Sequence, residues 1–372
     1  MAIQTSHVGS LPRSQKVVDY IFAREKGEDY NEIEFDQVMT EAVNDTVRRQ
    51  KKAGITIVSD GETSKISYAT YVKDRYHGFA GDSPRNAPAD LKKFPNYLQK
   101  LANDGGTPKY ARPMCVSKLE PKKNDDLIKD IDNLKKALKG NDIKKGFMNA
   151  ASPGVISLFL QNDYYPSRED YLEALSSLMQ FEYEMIVKSG LDLQIDCPDL
   201  ALSRHMLFND MSDDEFVKVA SINIESLNNA LRNIPKDKIR IHICWGNYEG
   251  PHVCDISISK MFETLMNVKT GHILFEAANP RHAHEWEVFE EKKNLIPDDL
   301  ILMPGVIDTT TNFVEHQNLV VQRLKNFTNI VGNERVIGSS DCGFGTFAGF
   351  GTIDPDIAYE KLKVLAEGAA KV

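Results

Sequence analysis

Arg240-Ile-His-Ile-Cys-Trp-Gly246 is the segment from which the architecture follows. Successive side chains of a strand point to opposite faces, so His242 and Cys244 share one face, while Ile241 and Ile243 occupy the other. The pattern predicts a buried strand that presents an imidazole and a thiol together near its carboxyl end. A core histidine beside a buried cysteine would produce the same letters, so this segment needs support from elsewhere in the chain.

Similar short apolar or β-branched runs recur on both sides of this segment, each ending at Gly, Asp, Asn or Pro. Longer helical patterns separate them, and such alternation predicts a parallel sheet with crossover helices. Together with 241–245 the runs number eight, which is the number that closes a (β/α)8 TIM barrel. The other seven candidate strands end near residues 7–10, 57–62, 147–152, 193–196, 273–276, 302–308 and 336–342.

The whole chain, residues 1–372, is predicted to form one barrel domain, because barrels of this type routinely exceed about 250 residues without dividing. Residues from about 69 to 145 do not fit a single strand-helix unit. They include a Pro-, Asn- and Gly-rich part and the run Met114-Cys-Val-Ser117. We therefore expect an insertion between the second and third barrel strands, with a hairpin or an extra strand over one barrel mouth.

The helical segments carry recognisable boundary signals. Residues 36–53 have apolar side chains at helical spacing and stop at Gly54, and residues 167–189 stop at Gly190. Ser212-Asp-Asp-Glu215 matches a capping box that opens a helix running to about Arg232.

The composition excludes several classes of function. Lys and Arg number 45 against 54 Asp and Glu, and no clustered basic surface indicates a nucleic-acid partner. The chain shows no signal-peptide pattern and no run of 18 apolar residues, so we expect a cytoplasmic protein without a membrane partner. Five widely spaced cysteines argue against a disulfide scaffold and leave thiolate chemistry or metal binding open.

Two other strand ends support a metal site. Cys342 lies in Ser339-Ser-Asp-Cys-Gly-Phe-Gly345, and Glu276 is a carboxylate that ends an apolar run. With His242 and Cys244 they would complete a tetrahedral Zn²⁺ shell. Ligands gathered from separate barrel strands indicate catalysis, and two thiolates suit a metal that activates a substrate thiol rather than water.

Polar residues at the remaining strand ends predict a cup for a small zwitterion. Glu62 and Asp196 would hold an ammonium group, and the backbone amides of Gly9 and Ser10 would hold a carboxylate. Ser152 also belongs to this candidate substrate site, although a helix-capping role fits it better, as it does residues 309–311.

Taken in order, these motifs resemble the catalytic half of the cobalamin-independent methionine synthases in a short, single-barrel form, and the related epoxyalkane:coenzyme M transferases. The resemblance implies that a zinc-bound thiolate of L-homocysteine is methylated to methionine. It also implies zinc ligation by His242, Cys244, Glu276 and Cys342, and homocysteine binding by Gly9, Ser10, Glu62 and Asp196. The matching segments are His7-Val-Gly-Ser-Leu-Pro12, Val58-Ser-Asp-Gly-Glu62, Gln194-Ile-Asp-Cys-Pro198, His242-Ile-Cys-Trp-Gly-Asn247, Phe275-Glu276 and Ser340-Asp-Cys-Gly343.

The sequence departs from the long members of that family at the seventh strand's loop. There the family has a general-acid histidine after an Asp, whereas this chain has Asp308-Thr-Thr-Thr-Asn312. Asp308 and Thr310 are the candidate catalytic residues, but a threonine cannot protonate a departing pterin nitrogen. We therefore expect a donor other than folate polyglutamate, such as a methylated corrinoid on a partner protein. His205, His252 and His316 are alternative acids, although surface or capping roles fit them better.

Three functions remain open at this point. The first is the methylation of homocysteine, and the second is alkylation of another thiol, as in epoxide opening by coenzyme M. The third is a small-molecule-binding or lyase barrel with a non-catalytic metal site. The oligomeric state is also open.

Overall fold

The structure is a computed structural model, and it describes residues 2–83, 87–103, 110–123, 125–351 and 353–372. Within these ranges seven strands form one parallel sheet in the order β1-β9-β8-β7-β6-β5-β4, and β2 pairs antiparallel with β3. The strands are β1 Gln4–Thr5, β2 Tyr76–Ala80, β3 Met114–Pro121, β4 Phe147–Ala151, β5 Asp192–Asp196, β6 Ile239–His242, β7 His272–Glu276, β8 Ile301–Ile307 and β9 Ile337–Ser340.

Helices alternate with the strands of the large sheet, as the sequence predicted. They are α1 Gln15–Lys26, α2 Glu32–Lys52, α3 Val72–Arg75, α4 Ala89–Lys92, α5 Pro95–Asn103, α6 Asp125–Gly140, α7 Pro153–Phe159, α8 Arg168–Lys188, α9 Ser203–Met206, α10 Asp213–Ala230, α11 Ile258–Leu265, α12 Trp286–Glu291, α13 Gln317–Val331 and α14 Pro355–Ala369. Short 3-10 turns cover Pro198–Leu200, Lys236–Lys238, Lys293–Leu295 and Asn333–Arg335. None of these helices in the described ranges has both the length and the hydropathy of a membrane span.

The second predicted strand end, near residues 57–62, does not form a regular strand among the described residues. The Ile57 N–H donates to the Thr5 carbonyl at 3.0 Å, and the Phe147 N–H donates to the Val58 carbonyl at 2.9 Å. These bonds place the segment between β1 and β4, the two edges of the sheet, so that the sheet curls as it does in a TIM barrel. The segment forms only an isolated bridge because the chain turns at once, with Gly61 at a φ of 71°. The α/β prediction with a TIM-like sheet is therefore confirmed.

The predicted helix boundaries agree with the structure to within a few residues. The helix expected from residue 36 begins earlier, because the Asn31 side chain accepts from the backbone N–H groups of Ile33 and Glu34 and caps α2. The Ser212 capping box is present at the start of α10, which ends at Ala230. The capping box acts within one helical turn, so the sequence alone revealed it.

The region from 69 to 145 contains a hairpin and a packed helix. Met114-Cys-Val-Ser117 lies in β3, whose partner is β2. Helix α6 packs against α2, where the Lys129 ammonium binds Asp36 at 2.8 Å. Residues 84–86, 104–109 and 124 of the predicted insertion lie outside the described residues.

Apolar side chains fill the interior of the curled sheet. These buried residues are Val8, Ile57, Phe147, Leu274, Met303 and Ile337. A much larger cluster fills the space between the sheet and the helices. The filled interior leaves the carboxyl ends of the strands as the place where polar side chains meet.

Candidate functional site

Two cysteines and one histidine converge at the carboxyl ends of the strands. His242 ends β6, Cys244 follows it by two residues, and Cys342 follows β9. The Cys244 and Cys342 Sγ atoms are 3.7 Å apart although 98 residues separate them. One ligand atom from each of the three residues lies within 4.8 Å of the others, and all three are buried. We call these three residues the sulfur site.

A hydrogen-bonded carboxylate orients the imidazole of the sulfur site. The His242 Nδ1 atom lies 3.2 Å from Asp196 Oδ1, because β5 and β6 pair in register at these two residues. Asp196 Oδ2 in turn accepts from the Asn149 amide at 2.9 Å. A carboxylate behind a metal-binding histidine fixes the ring orientation and makes the ring a better ligand.

The sulfur site favours negative charge on sulfur. The hydrogen bond with Cys244 and the contact with His242 outweigh burial and lower the pKa of Cys342 to about 6. The same hydrogen bond between the two thiols, together with burial, raises the pKa of Cys244 well above its usual value. Burial opposes the charge on His242, but hydrogen bonds to Asp196 and Cys342 raise its pKa to about 10. The protein groups alone therefore stabilise one thiolate, and the two cysteines share one proton. A bound cation would take the place of that proton.

Glu276, the fourth predicted ligand, is buried but is not part of this cluster. Its Oε1 accepts from the Trp245 backbone N–H at 2.9 Å, and its Oε2 accepts from the Asn279 amide at 2.8 Å. Since Trp245 directly follows Cys244, Glu276 supports the loop that carries the cysteine. Its role as a metal ligand stays a prediction.

Ser10 lies against the segment that contains Cys342, and its neighbour Gly9 packs on Asn149. A methyl group placed on Gly9 would collide with the Asn149 amide, so no larger residue fits. The Phe344 N–H donates to the Ser10 carbonyl at 2.8 Å. Among the described residues, neither the Gly9 nor the Ser10 amide N–H has a protein acceptor. Two backbone donors thus remain available beside the sulfur site.

Glu62 is buried in an unusual backbone conformation. Its φ is 54°, and its Oε2 has no hydrogen-bond partner among the described residues. The nearest cation is Lys65, whose Nζ lies 3.6 Å from Oε2. Burial raises the pKa of Glu62 to about 7, and the charge of Lys65 acts in the opposite direction. Such an unsatisfied buried acceptor is typical of a group that waits for a ligand.

Three other predicted site residues hold local turns. Ser152 Oγ accepts from the Val155 N–H at 2.9 Å and caps α7, as the alternative interpretation proposed. Asp308 accepts from the backbone N–H of Thr310 at 2.9 Å and of Thr311 at 2.8 Å. The Thr310 hydroxyl donates to Asp308 at 2.7 Å. The catalytic roles predicted for Asp308 and Thr310 have no direct support in these contacts.

The sequence interpretation missed Asp341, although it directly precedes Cys342. Its carboxylate accepts from the backbone N–H groups of Ala277 and Ala278 at 2.9 Å and of Asn279 at 2.6 Å. It therefore joins the loop after β7 to the loop after β9. The motif around Cys342 contained this residue, but nothing local indicated which backbone it would bind.

Asp255 and three histidines, His205, His252 and His282, form a second buried group, the aspartate-histidine cluster. Asp255 lies 3.0 Å from His205, 2.8 Å from His252 and 2.9 Å from His282. The Asp255 side chain is fully buried. His205 and His252 were candidates for the missing acid, and here both contact this carboxylate. The third candidate, His316, caps α13.

Comparisons with known proteins add the context of the whole chain. No protein-family model matches it. It is 26% identical to a methionine synthase from Thermococcus kodakarensis over 368 residues, which is 98% of this chain and 92% of that protein. It is 24% identical to 2-hydroxypropyl-CoM lyase from Xanthobacter autotrophicus, covering 99% of this chain and 94% of that one.

A solved structure shares the fold. A B12-independent methionine synthase from Shewanella sp. W3-18-1, in complex with selenomethionine, superposes with a TM-score of 0.73 at 20% identity. The match covers 99% of this chain and 97% of that one. The resemblance to the cobalamin-independent methionine synthase family that the motifs indicated is therefore confirmed.

Proposed function

We propose that the protein is a zinc-dependent thiol S-methyltransferase that methylates L-homocysteine to methionine. The convergence of His242, Cys244 and Cys342 on one point is the observation that carries this proposal. Full-length similarity to proteins named methionine synthase supports it.

The donor set fits Zn²⁺, which prefers imidazole nitrogen and thiolate sulfur in four-coordinate sites. His242, Cys244 and Cys342 would hold the ion, and Glu276 is the fourth candidate. Bound zinc would supply one chemical effect, the lowering of the substrate thiol's pKa so that it reacts as a thiolate. Asp196 fixes the His242 ring, and the buried walls exclude water from the sulfurs.

The remaining polar groups suit the amino acid part of the substrate. The unpartnered Glu62 Oε2, with Asp196 beyond it, would accept the ammonium group. The free N–H groups of Gly9 and Ser10 would donate to the carboxylate. These assignments place the amino acid head next to the sulfur site, with its thiol directed toward Cys244 and Cys342.

The donor is proposed to differ from folate polyglutamate, because the Asp308–Thr310 turn offers no imidazolium. A methylated corrinoid on a partner protein would need less protonation of the leaving group. We also propose that residues 56–58 serve as the second strand of an eight-position barrel, with residues of about 69–145 as an insertion. A cytoplasmic location accompanies this proposal.

Alkylation of a different thiol is the second candidate, because one relative is named 2-hydroxypropyl-CoM lyase. The thiol substrates of the two functions differ in their acidic group and in whether they carry an amine. A barrel with a non-catalytic metal site is less well supported, since the two cysteines already favour thiolate chemistry.

A transfer assay with defined donors tests the proposal. The zinc-loaded protein is incubated with L-homocysteine or coenzyme M, and with methylcobalamin, methylfolate or an epoxyalkane as the donor. We expect methionine to form from homocysteine and methylcobalamin, with one zinc and two protein sulfurs detected by X-ray absorption. Turnover of coenzyme M alone would establish the second candidate, and a protein that binds no zinc would overturn both.

A further inference from the structure

Lys65 is a buried cation beside the proposed amino acid pocket. Only 4% of the residue is exposed. Its Nζ donates to the Asn149 carbonyl at 2.7 Å, lies 3.6 Å from Glu62 Oε2 and stands 4.3 Å from the centre of the Tyr71 ring. Lysine is almost never buried without a partner, because removing its charge from water is costly. The partner here is the carboxylate of Glu62.

These three neighbours surround the ammonium group of Lys65. They are a carbonyl, a carboxylate and an aromatic face. Glu62 is different, since its Oε2 is 3.6 Å from Lys65 and has no hydrogen-bond partner among the described residues. Lys65 therefore influences a bound ligand through the charge of Glu62 and does not contact the ligand itself.

A rigid network fixes the position of Lys65. The Tyr71 ring has Lys65 4.3 Å and Arg75 4.6 Å from its centre. Its hydroxyl donates to Glu182 at 2.6 Å, and Arg75 binds Glu182 at 2.8 Å and Asp130 at 2.6 Å. Buried carboxylates from α6 and α8 thus fix the Tyr71 ring on which Lys65 packs, and a preorganised position of this type favours one charge pattern over others.

We infer that Lys65 is a positioning residue that holds the Glu62 carboxylate in its charged form, so that the pocket selects thiols and thioethers with an α-ammonium group. The inference rests on the proposed function, which places the amino acid head at Glu62. It adds the residue that makes the pocket discriminate against desamino analogues.

The charges around Glu62 support this role. Burial favours its neutral form, and Asp196 and Asp60 act in the same direction. Lys65 and Arg13 act in the opposite direction. Arg13 donates to the backbone carbonyls of Thr63, Gly345, Glu62 and Lys65, so its hydrogen bonds hold loops. Removing the charge of Lys65 would therefore raise the pKa of Glu62 above about 7 and leave it mostly neutral at neutral pH.

Ligand binding to Lys65→Met tests the inference. Affinities of the zinc-loaded protein for L-methionine and for 4-(methylthio)butanoate, which lacks the amine, are measured by calorimetry between pH 6 and 8.5. We expect Lys65→Met to bind L-methionine about tenfold more weakly at pH 7. Affinity for the desamino analogue should stay within about twofold. The loss for L-methionine should shrink as pH rises, because Glu62 then ionises without help.

Control variants separate this role from a structural one. Lys65→Arg, which keeps the charge, should restore most of the affinity, and Lys118→Met, at an exposed lysine paired with Glu120, should change nothing. Adding Glu62→Gln to Lys65→Met should cause no further loss, because both changes remove the same carboxylate charge. Lys65→Gln, which can still donate to the Asn149 carbonyl, replaces Lys65→Met if that variant does not fold.

The outcomes are distinguishable. Equal weakening of both ligands at every pH, or full affinity of Lys65→Met for L-methionine, would overturn the inference and leave the proposed function intact. A wild-type protein that binds L-methionine no better than its desamino analogue would contradict the proposed placement of the amino acid head itself.

Discussion

The sulfur site and the aspartate-histidine cluster are both buried, and both consist of side chains of the types that bind metals. One residue, Trp245, contacts both of them. The Trp245 backbone follows Cys244, and the Trp245 ring stacks on His282 with 4.1 Å between the ring centres. In the cluster, three imidazoles lie within 3.0 Å of one carboxylate, and the His282 ring also contacts Glu285 at 2.8 Å. In the sulfur site, two sulfurs lie 3.7 Å apart and share a proton.

This difference explains why the same residue types serve different purposes. Burial opposes the charge on His282, but hydrogen bonds to Asp255 and Glu285 raise its pKa to about 10, and the Asp255 pKa falls well below its usual range. The His252 and His282 rings therefore have a carboxylate partner inside the protein. Two adjacent cysteine sulfurs would need a cation if both lost their protons, because a second negative charge at that distance is repelled by the first. Histidine count alone therefore does not locate a metal site.

The largest effect is expected for Cys342→Ser. Losing one of two sulfurs should remove bound zinc and reduce methyl transfer by more than about 100-fold, the upper range for changes to the supporting residues of a metal site. Metal analysis and the transfer assay measure this. Cys254→Ser is the control, since Cys254 is a free cysteine that is only half-buried. Retained zinc and activity in Cys342→Ser would remove the functional distinction between the two groups.

Asp255→Asn should affect stability more than chemistry. Removing one partner of a buried ion pair costs about 3–5 kcal/mol, so the free energy of unfolding measured in urea should fall by that amount while zinc content stays unchanged. His316→Ser, which removes an exposed histidine but keeps a capping side chain, should have little effect. Loss of zinc in Asp255→Asn would mean that the cluster supports the metal directly.

The pH dependence of the same variant sharpens the test. The raised pKa of His282 contributes stability that is fully present below pH about 6.5 and is lost as pH rises through about 10. Without Asp255 the pKa of His282 should move down toward its ordinary value. The wild-type protein should therefore lose stability between these pH values, and Asp255→Asn should show a flatter profile.

The smallest effect is expected for Glu276→Gln, between the two groups. The oxygen of the new amide can still accept from the Trp245 N–H, but its NH2 group then faces the Asn279 NH2 group, and two donors cannot form a hydrogen bond with each other. We expect zinc affinity to fall about 10- to 100-fold, with both sulfur neighbours retained in the X-ray absorption spectrum. Unchanged affinity would contradict the proposed role of Glu276 beside the metal, and complete loss of zinc would identify it as a required ligand.

Much of the architecture was predictable from local sequence. The strand period alone placed His242 and Cys244 on one face, and the Ser212 capping box marked the start of α10. The second strand, predicted to end near residues 57–62, forms only an isolated bridge at Val58, and Gly61 and Glu62 beyond it have positive φ angles of 71° and 54°. Over two or three positions the same residues can form either the end of a strand or a turn, and composition does not determine which of the two conformations is adopted.

Local sequence was enough to predict which side chains stand at the strand ends and which of them share a face, since the alternation of a strand is a property of its own backbone. Three contacts arise only in the folded chain: Cys342 meets Cys244, Glu276 accepts from the Trp245 N–H, and Lys65 faces Glu62. Those contacts depend on the curl of the sheet and on packing between loops far apart in the chain. No periodicity within a single segment contains that information.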